Sequence, residues 1–141
     1  MSIPSFIVAG AAKTGTSWLH KCLDAHPEVF VPREGEVDFF SYHHERGLEW
    51  YEKFFEGSDQ ARVVGEKSPS YMMTREVPER IHNLNPQMRL IFVFRDPVER
   101  AYSAYCMMLK AGRVNENVDA VLAPGTRFIE EGCYFEPSTA C

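Results

Sequence analysis

Apolar residues fall along this chain in short runs and in helical stripes, and the two patterns alternate. Phe6-Ile-Val-Ala9 is an apolar run ending at Gly10, the signature of a buried strand. A turn of small residues follows. A helix is predicted from about Thr16, with Trp18, Leu19, Cys22 and Leu23 on one face and Pro27 as its stop. Val29-Phe-Val31 predicts a second short strand, closed by Pro32. Leu48, Tyr51, Phe54 and Phe55 recur at helical spacing through residues 47–56. Val63-Val-Gly65 predicts a third strand. Pro78 fits the first residue of a helix that carries Ile81 and Leu84 and ends before Pro86.

Leu90-Ile-Phe-Val-Phe94 is the strongest signal. Consecutive apolar residues predict a central parallel strand buried on both faces. Asp96 suits a helix N-cap and Pro97 the first helical turn. Val98, Ala101, Tyr102, Tyr105 and Leu109 form the expected apolar face, and Gly112 closes the helix. Beyond residue 113 the periodicity fades. Residues 1–141 read as a single domain in which 114–141 is poorly defined. Strands alternating with helices predict an α/β fold with a central, mostly parallel sheet flanked by helices.

Composition narrows the function classes. The chain has 141 residues, 45% of them apolar and 25% charged, as in an ordinary globular protein. No apolar run approaches the ~20 residues of a membrane span. The first residues, MSIPSFIVAG, lack a basic stretch and a long apolar core. No signal peptide is therefore expected, and a cytoplasmic location is. Cys22, Cys106, Cys133 and Cys141 contain no C-x-x-C pair, and the adjacent His43 and His44 cannot both face one ion from a regular element. No metal is expected, and Cys22 and Cys106 read as buried, reduced thiols. The net charge of −5 argues against a nucleic-acid partner. Its distribution is uneven. Residues 24–59 hold ten acids against three bases, whereas residues 60–113 hold five acids against nine bases. Two readings stay open: convergence of the basic stretches on an anionic ligand, or charge scattered over a surface.

The loop Gly10-Ala-Ala-Lys-Thr-Gly-Thr-Ser17 joins the first predicted strand to the first predicted helix. Ligands of open α/β sheets bind beyond the carboxyl ends of the strands. Small residues let backbone N–H groups face a common concavity, and a helix N-terminus adds donors and partial positive charge. Lys13 adds a full charge, and Thr14, Thr16 and Ser17 add hydroxyls. This chemistry suits a phosphate or a sulfonate. It is not a Walker A loop, which places lysine directly after its second glycine. Here Lys13 precedes Gly15. The competing reading is a glycine turn with an exposed lysine.

With this loop, the chain resembles the sulfotransferases that use 3′-phosphoadenosine 5′-phosphosulfate (PAPS), in particular the heparan-sulfate-sulfotransferase-like branch and its bacterial relatives. Four segments carry the resemblance in the family's order. Lys13-Thr-Gly-Thr-Ser-Trp18 resembles the loop that binds the donor's 5′-phosphosulfate. Glu36-Val-Asp-Phe-Phe40 resembles an E-x-H-F-F segment, and Gly65-Glu-Lys-Ser-Pro-Ser-Tyr71 a G-E-K-[ST]-P-x-Y segment. Arg95-Asp-Pro-Val-Glu-Arg-Ala-Tyr-Ser103 resembles the 3′-phosphate motif. A weaker echo lies at Gly132-Cys-Tyr134. Asp38 stands where relatives often carry His, and Gly35 where they often carry Lys.

The resemblance implies a P-loop-NTPase-like sandwich, incomplete at the C-terminus. It implies PAPS as co-substrate without a metal, and a hydroxyl or amine acceptor on a small molecule or a glycan. Lys13, Thr14, Gly15, Thr16, Ser17 and Trp18 would hold the 5′ end of the donor. Arg95 and Ser103 would hold its 3′-phosphate, the guanidinium by paired N–H bonds. Glu36 would be the general base, with Glu34 as the alternative. Lys13 and Lys67 would meet charge near the reacting sulfonate and leaving oxygen. Taken singly, Arg95 also suits a surface salt bridge with Asp96 or Glu99, Ser103 a small packing residue, and Lys67 a partner for Glu66. Arg100 reads as an ordinary helix-surface residue. Two other function classes remain: a P-loop-type small-molecule kinase, and a non-catalytic nucleotide-binding fragment that lacks the late loop over the nucleotide.

Overall fold

A computed structural model describes residues 3–114 and 117–134. The chain divides into two compact units, residues 1–93 and 94–141. In the first unit, strands β1 (Phe6–Gly10), β2 (Val29–Phe30), β3 (Val63–Lys67) and β4 (Arg89–Phe92) form one sheet in the order β2-β3-β1-β4. Every pairing is parallel, with Phe6 opposite both Gly65 and Arg89.

β1 is the strand buried on both faces. Successive side chains of a strand point to opposite sides. Ile7 and Ala9 enter a core with Val37, Phe40, Tyr51, Tyr71 and Ile81. That core is built by α2 (Phe39–Tyr42), α3 (Leu48–Glu52), α4 (Val77–Leu84) and the 3₁₀ turn Pro69–Met73. Phe6 and Val8 pack with Val31 on the other side, against Leu19 and Leu23 of α1 (Thr16–Asp24). The helices therefore flank a parallel sheet, as expected. Ile7 and Val8 are fully buried, each contributing roughly 1.5–3 kcal/mol.

Three expectations need correction. Leu90, Ile91 and Phe92 are 42%, 38% and 43% exposed, so β4, the last strand of the sheet among the described residues, is not buried on both faces, and that place belongs to β1. An apolar run records surface that favours burial, and it does not say that a covering layer is at hand. On α1, Trp18 and Cys22 are exposed, and only Leu19 and Leu23 reach the sheet. Cys22 is thus no buried thiol. Cys106 is half-buried, and Cys141 lies outside the described residues.

The second unit holds α5 (Pro97–Lys110), α6 (Val118–Val121) and α7 (Arg127–Glu130). Asp96 caps α5 as expected, its carboxylate accepting from the Val98 and Glu99 amides at 3.0 Å. The buried face of α5 is Arg100, Ala101 and Ala104, whereas Val98 and Tyr102 are exposed. Arg100 is therefore no surface residue. Its side chain is wholly buried, donating to the Phe128 carbonyl and to Glu131 at 3.3 Å. Of the five positions expected on the apolar face only Ala101 is buried, Leu109 being exposed as well, so the inward stripe of α5 is offset from the one that hydrophobicity marks, and the charge on residue 100 hid it.

Candidate active site

The buried β1 delivers the chain to the loop at residues 10–17. Lys13 adopts φ 67° and Gly15 φ 96°, both in the left-handed region. Gly15 enters it without a Cβ penalty, but Lys13 is a side-chain-bearing residue held there by its surroundings. Thr14 Oγ1 donates to the Ala11 carbonyl at 2.7 Å and closes the loop on itself. α1 begins at Thr16 with no side-chain cap and no acid in its first turn. Such a helix start presents backbone donors and partial positive charge with no carboxylate competing for them. These features fit an anionic group. Thr16 is buried, while Ser17 and Trp18 are exposed.

Glu36 and Lys67 meet at 2.7 Å, Nζ to Oε1. The lysine side chain is 5% exposed and the glutamate 49%. A buried ammonium thus faces solvent through one carboxylate. Lys67 does not pair with Glu66, its sequence neighbour. Strand alternation sends those two side chains to opposite faces of β3. Glu34 is exposed and lines an open cavity of about 600 Å³ with Arg33, Trp50 and Phe54. Of the two candidate bases, Glu36 is the one held against a cation.

Glu66 is completely buried. Its Oε1 accepts from Tyr51 at 2.7 Å and Tyr71 at 2.9 Å, and its Oε2 accepts from Ser68 at 2.9 Å. Burial pushes the carboxyl up to about 7, against the pull of these three hydroxyls. Burial likewise pushes the Tyr51 and Tyr71 phenols up, and the neighbouring Glu66 adds to the shift. Asp38 takes a bond from the Ser70 hydroxyl at 2.6 Å on its Oδ1. It enters α2 with φ 53°, and its amide donates to Ser68 Oγ at 2.9 Å. Phe39 and Phe40 are buried in the core.

His20, on α1, has Nδ1 buried with no hydrogen-bond partner among the described residues. Burial lowers its pKa, and the Lys67 charge lowers it further. Sequence reasoning missed His20, Tyr51 and Glu66. A lone histidine or tyrosine in an apolar stripe carries no signal of its own. Glu66 was legible only as part of G-E-K.

In the second unit, Arg95 follows β4 and is held in two ways. Its Nε donates to Glu99 Oε2 at 3.1 Å, and its carbonyl accepts from the Tyr134 hydroxyl at 3.1 Å. The Tyr134 ring packs on Phe94 in a tilted contact, 4.7 Å between centroids. The Glu99 bridge is the simple surface pair allowed for Arg95. It is exposed, so it contributes about 1 kcal/mol or less and yields readily to a stronger anion. Ser103 is half-buried, two turns along α5. Among the described residues no cluster of His, Cys, Asp and Glu could hold a metal ion. Nor is any described helix long and apolar enough to cross a membrane.

Comparison with known proteins agrees with this arrangement. The sulfotransferase domain family matches residues 4–133. Heparan sulfate glucosamine 3-O-sulfotransferase 5 of Mus musculus is 38% identical over 117 residues, covering 82% of this chain and 33% of that protein. Heparan sulfate glucosamine 3-O-sulfotransferase 6 of Homo sapiens is 41% identical over 106 residues, covering 75% of this chain and 31% of that protein. A crystal structure of a sulfotransferase from Alicyclobacillus acidocaldarius superposes with a TM-score of 0.83 at 27% identity, over 97% of this chain and 64% of that one. The chain thus spans about a third of the length of the curated relatives it matches. Its parallel sheet, its loop at the end of β1 and a match over nearly its whole length say that this chain belongs to the sulfotransferase family.

Proposed function

We propose that this chain is the donor-binding part of an enzyme that moves a sulfuryl group from PAPS to a hydroxyl or amine acceptor. The names of its relatives favour a glycan hydroxyl. The observation that carries the reading is the Glu36–Lys67 pair: a carboxylate exposed enough to meet an acceptor, held by a buried cation.

PAPS supplies an electrophilic sulfur bonded to a phosphate oxygen that leaves as part of adenosine 3′,5′-bisphosphate. Glu36 takes the acceptor proton as the acceptor oxygen or nitrogen bonds to sulfur and the bond from sulfur to the phosphate oxygen breaks. Lys13, the backbone donors of residues 14–17 and the start of α1 meet the charge that develops on the departing phosphate. Lys67 releases Glu36 in part and faces the sulfonate. Thr14, Gly15, Thr16, Ser17 and Trp18 shape the 5′ site. Arg95 exchanges Glu99 for the 3′-phosphate, and Ser103 donates to the same group. The kinase reading fares worse, because Lys13 stands ahead of Gly15 and β4 runs into Arg95 rather than an acidic metal ligand.

Two measurements test this. Glu36→Gln should lower sulfuryl transfer from PAPS by roughly 10²-fold or more, while Glu34→Gln changes it little. Equal losses in both variants would reject Glu36 as the base. Arg95→Ala should weaken adenosine 3′,5′-bisphosphate binding at least about tenfold, the worth of one charge-assisted contact. Unchanged affinity would remove Arg95 from the donor site.

A further inference from the structure

Glu66 is absent from the donor loop and from the proposed proton transfer, yet its buried carboxyl has three hydroxyl partners. Two of the three hydroxyls that donate to it have a second task. Ser68 Oγ donates to Glu66 and accepts from the Asp38 amide at 2.9 Å. The Tyr71 hydroxyl donates to Glu66 and accepts from the Phe40 amide at 3.3 Å. A hydroxyl has one proton to give. When ionised, the carboxylate only accepts, so it fixes both protons toward itself and turns both oxygens' lone pairs toward the backbone of residues 38–40. That backbone begins two residues after Glu36. On the opposite face of β3, the next residue, Lys67, holds the Glu36 side chain.

We infer that Glu66 is a positioning residue. Through Ser68 and Tyr71 it clamps the Asp38 and Phe40 amides, and so it fixes the segment that presents Glu36 to Lys67. Two adjacent residues of one strand then govern one short segment, Lys67 by gripping the Glu36 side chain and Glu66 by orienting the hydroxyls that hold the segment's backbone amides. This assignment rests on Glu36 being the base only for its consequence in catalysis. The clamp itself is independent of it.

Amide hydrogen exchange on the full chain reads the clamp without turnover. Ser68→Ala should speed exchange at Asp38 roughly tenfold and spare Phe40, and Tyr71→Phe should do the reverse. Glu66→Gln places an amide donor against one of these hydroxyls. The better fit leaves its oxygen with Tyr51 and Tyr71 and its nitrogen facing Ser68, so Asp38 loses protection and Phe40 keeps most of it. Exchange that rises equally at Asp38, Phe40 and the β1 amides of Ile7 and Val8 would overturn the proposal, because it would mean only general loosening. So would protection at Asp38 and Phe40 that no variant alters. In turnover, Glu66→Gln should lower kcat about tenfold and leave the KM for PAPS within about twofold. An unchanged kcat beside altered exchange would overturn the catalytic consequence. If Glu36→Gln retains activity while the exchange pattern holds, the clamp stands and the base assignment fails.

Discussion

Glu66 keeps a titratable proton where water does not reach. The groups facing it are Tyr51 from α3, Ser68 and Tyr71 beyond β3, and the charge of Asp38. Its carboxyl moves from 4.5 in the unfolded chain to about 7 in the folded one. Between those values the native protein holds a proton that the unfolded chain has lost. The associated stability is fully present below pH 4.5 and disappears as pH rises through about 7. Urea unfolding at pH 5 and pH 8 should show wild type losing on the order of 3 kcal/mol more than Glu66→Gln. A difference between the two proteins that is flat with pH would mean that the carboxyl titrates normally. At this scale the sequence was only partly legible. Lys13, Glu36 and Lys67 stand in recognisable segments. The hydroxyls that satisfy Glu66 come from positions 51, 68 and 71, and only folding brings the first of them to the others.

The elements were legible where their signals are local. β1 and β3 are apolar runs that stop at turns, and α5 announces itself by Asp96 and Pro97. What a neighbouring element demands was harder to see. Gly65 on β3 lies under the Phe6 ring, so that a Cβ there would come within 2.1–2.5 Å of its carbons. Gly65→Ala should therefore cost roughly 1–3 kcal/mol of unfolding free energy, with Phe6→Leu partly relieving it. Denaturant melts of the single and double variants check this, and additive losses would refute the contact. Arg100 joins α5 to α7 through the Phe128 carbonyl and Glu131. Arg100→Leu removes the bond to the Phe128 carbonyl and leaves Glu131 with Arg127 as its remaining ion-pair partner, and should destabilise the second unit by roughly 1–3 kcal/mol. Loss of the far-ultraviolet helix signal at lower urea than wild type would register it, and an unchanged transition would show that the ion pair is idle.

At the scale of the whole molecule, the net charge of −5 conceals an uneven distribution, with nine bases against five acids in residues 60–113. Adenosine 3′,5′-bisphosphate at 100 times its Kd should stabilise the chain by about 2.7 kcal/mol, and ATP with Mg²⁺ should not. A thermal shift seen only with ATP would sink the sulfotransferase reading. The α/β class was legible from alternation alone. Strand order was not, because hydrophobicity says nothing of which strand has a neighbour on each side. That misreading of β4 has a practical side. At one margin of the sheet, β2 is only two residues long and offers little to pair with. At the other, β4 is the last strand among the described residues, and its Leu90, Ile91 and Phe92 side chains are exposed. Such a margin is a template for strand-to-strand growth. Handled alone, this chain should self-associate through that apolar margin, and Ile91→Lys should lower the light scattering of a concentrated solution, whereas equal scattering from both proteins would refute it.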